Sequence, residues 1–103
     1  MYIFGFDISP DKKDGGYSIK NIIPLCAFDK AGLKDGDVII SVNNVKLKLD
    51  KNSGAIDGLV FDTTRETTQT FLVKRKEVKK TFIVKSEYEP PYFIDGILSL
   101  LAV

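Results

Sequence analysis

Residues 31–44 read AGLKDGDVIISVNN, and four kinds of local chemistry follow one another in that stretch. Ala31-Gly32-Leu33 reads as the end of a helix. Asp35-Gly36-Asp37 is turn chemistry, because Gly tolerates positive φ and Asp hydrogen-bonds its own nearby backbone. Val38-Ile39-Ile40-Ser41-Val42 is β-branched and apolar enough for a buried strand. Asn43-Asn44 then supplies side chains that accept a left-handed turn. A helix end, a tight turn, a buried strand and a second turn thus fit into one short unit.

The chain around it has 103 residues, 44% of them hydrophobic and 28% charged. That composition fits one globular domain with a core that needs no staples, and argues against disorder. The net charge of +1 provides no global field toward nucleic acid or anionic lipid. The basic cluster Lys74-Arg75-Lys76, with Lys79-Lys80, sits between two apolar alternating runs and reads as a solvated hairpin tip. Cys26 is the sole cysteine. It excludes a disulfide framework and reads as a small buried hydrophobe within Ile22 to Phe28. No signal peptide is expected, since no basic segment precedes a long apolar run. The apolar tail Tyr92 to Val103 carries Asp95 and is too short to span a bilayer, so no membrane insertion is expected.

Outward from the opening stretch, Phe6-Asp7-Ile8-Ser9 begins a strand, Pro10 to Gly16 forms a turn, and Tyr17 to Ile23 returns as a second strand. Phe28 to Leu33 is a short helix stopped by the Asp-Gly turn. Asn52 and Ser53 are N-cap candidates for a second helix from about Ser53 to Phe61, with Ile56, Leu59 and Val60 on one face. Gly54 and Gly58 weaken that helix by on the order of 1 kcal/mol each. Thr70 to Val73 and Thr81 to Val84 make a hairpin, and Pro90-Pro91 breaks the chain before the tail. The expected fold is mainly β, with two short helices.

This order of elements resembles a PDZ domain. Ile3-Phe4-Gly5-Phe6 fits that family's carboxylate-binding loop. Ala31-Gly32-Leu33, Gly36-Asp37-Val38-Ile39 and Ser41-Val42-Asn43 fit its central signature, and Phe71-Leu72-Val73 with Phe82-Ile83-Val84 fit its closing strands. The resemblance implies an α+β fold, a small, partly open β-barrel of five to six strands, over residues 1–86, followed by a tail over residues 87–103. It implies a non-catalytic module that takes an extended, apolar peptide C-terminus by strand addition. The loop Ile3, Phe4, Gly5 and Phe6 would hold the carboxylate, and Asp7, Ile8 and Ser9 would pair with the peptide. The second helix, through Asn52, Ile56, Leu59 and Val60, would form the other wall. With no His to bond a ligand hydroxyl, Asn52 and Ile56 would favour an apolar third-from-last ligand residue.

The N-terminal end departs from the family pattern. The first strand, which normally precedes the loop, has no counterpart in the sequence pattern, since only Met1-Tyr2 come before it. The tail after Pro91 would supply it, as in bacterial protease-associated PDZ domains, whose style the Gly-Asp-Val-Ile strand resembles. That likeness suggests, as the alternative function, a regulatory or structural domain of a larger secreted protease, with a lean toward a periplasmic or extracellular setting. The tail's end, Ser99 to Val103, has the character of the inferred ligand and offers a second role: occupying the groove of its own molecule or of a neighbour, with self-association.

Catalytic alternatives are few. The absence of His excludes His-dependent triads and His-metal sites, and one Cys makes no zinc site. No phosphate loop precedes a helix, and no cofactor is expected. Leu59-Val60-Phe61-Asp62-Thr63-Thr64 resembles an aspartic-protease motif, in which two carboxylates share a proton across a dimer. Thr64 stands where that motif needs glycine, and a helix-terminal loop is the favoured reading.

Overall fold

The computed structural model describes residues 1–10, 16–49, 52, 56–59 and 61–89. In chain order its elements are β1 (Tyr2–Ile3), β2 (Asp7–Pro10), β3 (Tyr17–Lys20), α1 (Ala27–Ala31), β4 (Val38–Val42) and β5 (Val45–Lys46). Then follow β6 (Lys48–Leu49), β7 (Ile56–Asp57), β8 (Thr68–Arg75), β9 (Val78–Lys85) and β10 (Glu87–Tyr88). All pairings are antiparallel. The main sheet runs β2-β3-β4-β8-β9, with β5 added to β4, and two small ladders join β1 to β10 and β6 to β7. The molecule is therefore mostly β with one short helix among the described residues, a partly open barrel that does not close.

The opening stretch explains the sheet's centre. Gly32 ends α1 in the left-handed region (φ 90°). Its N–H donates to the Asp29 carbonyl at 3.1 Å, and the Leu33 N–H to the Phe28 carbonyl at 3.1 Å, a paired closure that satisfies the last turn. The helix thus covers Ala27–Ala31 and stops at Gly32, earlier than the Asp-Gly turn. Val38–Val42 lies between β3 and β8, and Ile39 and Val42 face Val73 and Phe71 across the ladder. Ile19, Phe28, Ile39, Phe71 and Val73 are fully buried. Removing the Phe71 side chain would cost about 3–5 kcal/mol, the usual range for a core phenylalanine.

Several expectations change. The second strand ends at Lys20 because Asn21 turns left-handed (φ 51°). The first strand is present: Tyr2 pairs with Tyr88 and Ile3 with Glu87, so its partner lies upstream of Pro90. The tail, residues 90–103, lies outside the described residues.

The second helix is not formed in its described part. Ile56–Asp57 is a strand on Lys48–Leu49, and Gly58 is left-handed (φ 89°) with its Cα close to Val45 and Leu47, where a Cβ would sit 3.1 and 3.2 Å from their side chains. That turn is incompatible with helix continuation. Ser53, Gly54 and Val60 lie outside the described residues.

The basic cluster is also divided. Arg75 leaves the solvated tip and reaches Asp37 on the strand side of the Asp-Gly turn, while Lys76 sits at the turn itself (φ 54°).

Candidate functional site

A groove of about 860 Å³ opens along the loop between β1 and β2. One wall is the chain from Ile3 to Ile8, which the sequence singles out; the other includes Leu59, Phe61 and Thr63. The second wall is an irregular segment after the Gly58 turn. It is tied to β1 by the Tyr2 N–H, which donates to the Thr63 carbonyl at 2.8 Å. Lys20, Asn21 and Asp7 lie at the β2 end, where the Asn21 amide donates to the Asp7 carboxylate at 3.3 Å. Ser9 lies beyond this lining, paired with Ser18. Asn52 and Ile56 are also outside it, and Ile56 instead packs against the core cluster.

The loop is shaped by Gly5, which is left-handed (φ 82°) and seated on Cys26. The buried position expected of Cys26 is observed, at 2% exposure. The Phe4 carbonyl accepts the Phe28 N–H at 3.0 Å, and the Gly5 carbonyl accepts the Ile23 N–H at 2.9 Å. In a trans peptide the C=O and the following N–H point in opposite directions. With both carbonyls turned onto the body of the domain, the N–H groups of Gly5 and Phe6 point away from it. Successive N–H groups around a left-handed residue form a concave, electropositive nest suited to an anion.

Beside the nest runs an open sheet edge. Ile19 directs its N–H to the Asp37 carbonyl at 2.7 Å and its carbonyl to the Gly36 N–H at 2.9 Å, both on the β4 side. Hydrogen-bonded pairs alternate along an antiparallel ladder. The bonded pairs between β2 and β3 are therefore Asp7 with Lys20 and Ser9 with Ser18, and the N–H and C=O of Ile8 face outward. As the outermost strand of the main sheet, β2 presents these groups beside the groove. The opposite edge, β9, carries Lys79, Lys80 and Lys85, charges that discourage pairing there.

The groove floor is aromatic. Phe4 is buried in the core cluster at 3% exposure, and Phe6 packs against it. Phe6 stacks on Phe28 with ring centroids 4.1 Å apart, and Phe61 lies 4.7 Å from Phe4 and 6.1 Å from Phe6. Sequence periodicity missed Phe61, whose position depends on the Gly58 turn rather than on a helical face.

Asp62, the residue of the protease-like motif, is exposed and held locally. It accepts the Thr64 N–H at 2.9 Å and the Thr64 hydroxyl at 2.5 Å, and it pairs with Arg65 at 3.0 Å. The Thr64 bonds, followed by the Arg65 charge, hold its carboxyl below the ordinary value. Asp62 is thus engaged within its own loop, and no helix leads into that loop in the described residues, where Ile56–Asp57 is a strand and Gly58 turns left-handed.

Among the described residues no group of His, Cys, Asp or Glu is arranged to hold a metal ion, and no helix is long and apolar enough to cross a membrane. No curated protein matches the chain. The family model for the PDZ domain matches residues 2–57, which takes in the loop, the open edge strand and the Asp-Gly strand unit. PDZ domains are in general peptide-binding interaction modules, and this chain belongs to the PDZ domain family.

Proposed function

We propose that this domain binds the free C-terminus of an extended apolar peptide, adding it as a strand to β2. The observation that carries this reading is the orientation of the loop: the Phe4 and Gly5 carbonyls are bonded inward, so the next two N–H groups face the groove where the open edge of β2 begins. A ligand whose carboxylate sits at the loop runs toward the start of β2 and is therefore antiparallel to it. Its last residue then lies opposite Phe6 and its third-from-last opposite Ile8, whose N–H and C=O receive it. Ile3 to Phe6 form the carboxylate site, Asp7 to Ser9 the pairing strand, and Leu59 with Phe61 the facing wall. An apolar third-from-last residue suits Ile8 and Leu59; in this geometry they carry the preference assigned from the sequence to Asn52 and Ile56. In a longer protein with a protease unit, occupancy of this groove would be the regulatory input.

The test compares peptides ending in a free carboxylate with the same peptides amidated. Hydrogen bonds to a charged group contribute about 1.5–3 kcal/mol each, so amidation should weaken binding by at least about tenfold. Equal affinity of the two forms would remove the carboxylate assignment.

A further inference from the structure

We infer that the end of this groove selects an aromatic last side chain, and that Phe61 is the residue that sets the selection. The inference rests on the strand-addition reading above. Side chains directly opposite each other in an antiparallel pair lie on the same face. The last ligand side chain, opposite Phe6, therefore falls on the Phe6 side of the added strand.

Three rings meet there. Phe6 has one face covered by Phe28, at 4.1 Å and an interplanar angle of 5°, and still lines the groove. Phe61 stands across from it at 70° and 6.1 Å, with Phe4 beneath, 4.7 Å from Phe61. Both Phe6 and Phe61 are half-buried before any ligand arrives. Leu59 and Ile23 complete an apolar surround.

A fourth ring entering such a site finds Phe6 and Phe61 already disposed edge to face, with Phe4 tilted against Phe61. An aliphatic side chain of the same size gains only the area term. Aromatic pairs add a contribution beyond burial. Phe61 comes from the segment after Gly58, so the selectivity belongs to the irregular wall that replaces a helical one in the described residues.

The experiment uses the full chain and three free-acid peptides identical except for their last residue: phenylalanine, cyclohexylalanine or valine. Cyclohexylalanine matches phenylalanine in bulk and lacks the π-system. Fluorescence anisotropy should give phenylalanine about fivefold tighter than cyclohexylalanine, the ~1 kcal/mol of an aromatic pair at 1.4 kcal/mol per tenfold. In Phe61→Leu that ratio should fall to about one.

Wild-type binding of all three peptides with cyclohexylalanine or valine equal to phenylalanine overturns this inference and leaves the strand-addition reading standing. A ratio that persists in a folded Phe61→Leu variant overturns the assignment to Phe61. Should that variant fail to fold, the wild-type ratio decides the selectivity. Loss of all discrimination between free and amidated peptides instead defeats the underlying reading, and this inference with it.

Discussion

A Cβ placed on Gly5 would lie 2.5 Å from the Cβ of Cys26, so the loop between β1 and β2 rests directly on the N-cap residue of α1. Two obstacles therefore oppose any side chain at position 5. The left-handed backbone costs about 1–2 kcal/mol for a non-glycine residue, and overpacking adds about 1–3 kcal/mol. Gly5→Ala should destabilise by more than about 2 kcal/mol in urea unfolding and weaken peptide binding as the loop shifts. Cys26→Gly removes the atom that clashes at a helix N-cap, where glycine is tolerated. The double variant should recover about 1 kcal/mol or more of the loss, a coupling that distant sites do not show. Strict additivity of the two changes would refute the contact as the cause.

Asn43 and Asn44 look interchangeable in the sequence, yet the structure separates them. Both are left-handed, at φ 51° and 66°. Asn43 alone is stitched to β8: its side-chain oxygen accepts the Thr70 N–H at 2.8 Å, its own N–H donates to the Thr70 carbonyl at 2.7 Å, and its amide donates to the Gln69 side chain. Asn43→Ala should cost about 2 kcal/mol, from the left-handed penalty and the lost bonds. Asn44→Gly should leave stability unchanged or raise it by about 0.5 kcal/mol. Thermal and urea melts of the pair check this, and equal losses at the two positions would contradict it.

Asp37 links stability to acid. It is buried at 3% exposure and receives the Arg75 guanidinium as a fork, at 2.8 and 2.7 Å, plus the Lys34 N–H at 2.9 Å. Burial pushes its carboxyl upward. The Arg75 bonds, the Lys34 N–H and the neighbouring positive charges outweigh that push and hold the pKa below the ordinary 3.8. A depressed carboxyl contributes stability that is present above the unfolded-state value of about 3.9 and is lost as pH falls through the folded-state value. Asp37→Asn should therefore cost about 2 kcal/mol at pH 7, and its gap to wild type should narrow below about pH 4. A gap that stays constant to about pH 2 would exclude this linkage.

How far the sequence reveals the molecule depends on how local the determining chemistry is. Val38–Val42 and the Asn43-Asn44 turn each follow from a few adjacent residues, and each is found where the motif places it. Gly5 is left-handed (φ 82°) between Phe4 and Phe6, a conformation that glycine itself makes available. By contrast, Ile56, Leu59 and Val60 carry helical spacing, and periodicity alone cannot weigh it against a left-handed Gly58 closing on Val45 and Leu47. The pairing of Tyr2–Ile3 with Glu87–Tyr88 escapes notice because two-residue strands have no pattern to read. Arg75 looks like one more solvated charge until the register of β8 brings it beside Asp37, 38 positions away in the chain. Phe61 is hidden for the same reason: its role is defined by the opposite wall.

The alternation of hydrogen-bonding groups along β2 gives the most specific prediction. Only the outward-facing residues of that strand can serve a ligand, and Ile8 is placed outward because Ile19 has both its backbone groups directed toward β4. Antiparallel addition then requires the ligand's last and third-from-last N–H groups to point at β2, while the second-from-last points to solvent. N-methylation removes one N–H at a time. At the third-from-last residue it should delete a hydrogen bond of about 0.5–1.5 kcal/mol and introduce a methyl against the Ile8 carbonyl, weakening binding by at least about fivefold. At the second-from-last residue the change should be less than about twofold. Isothermal titration of the two methylated peptides against the free-acid parent reads the difference directly. Equal losses at both positions would mean that the peptide does not lie as a strand on this edge, whereas the reverse order would place it one residue out of the register derived from Ile19.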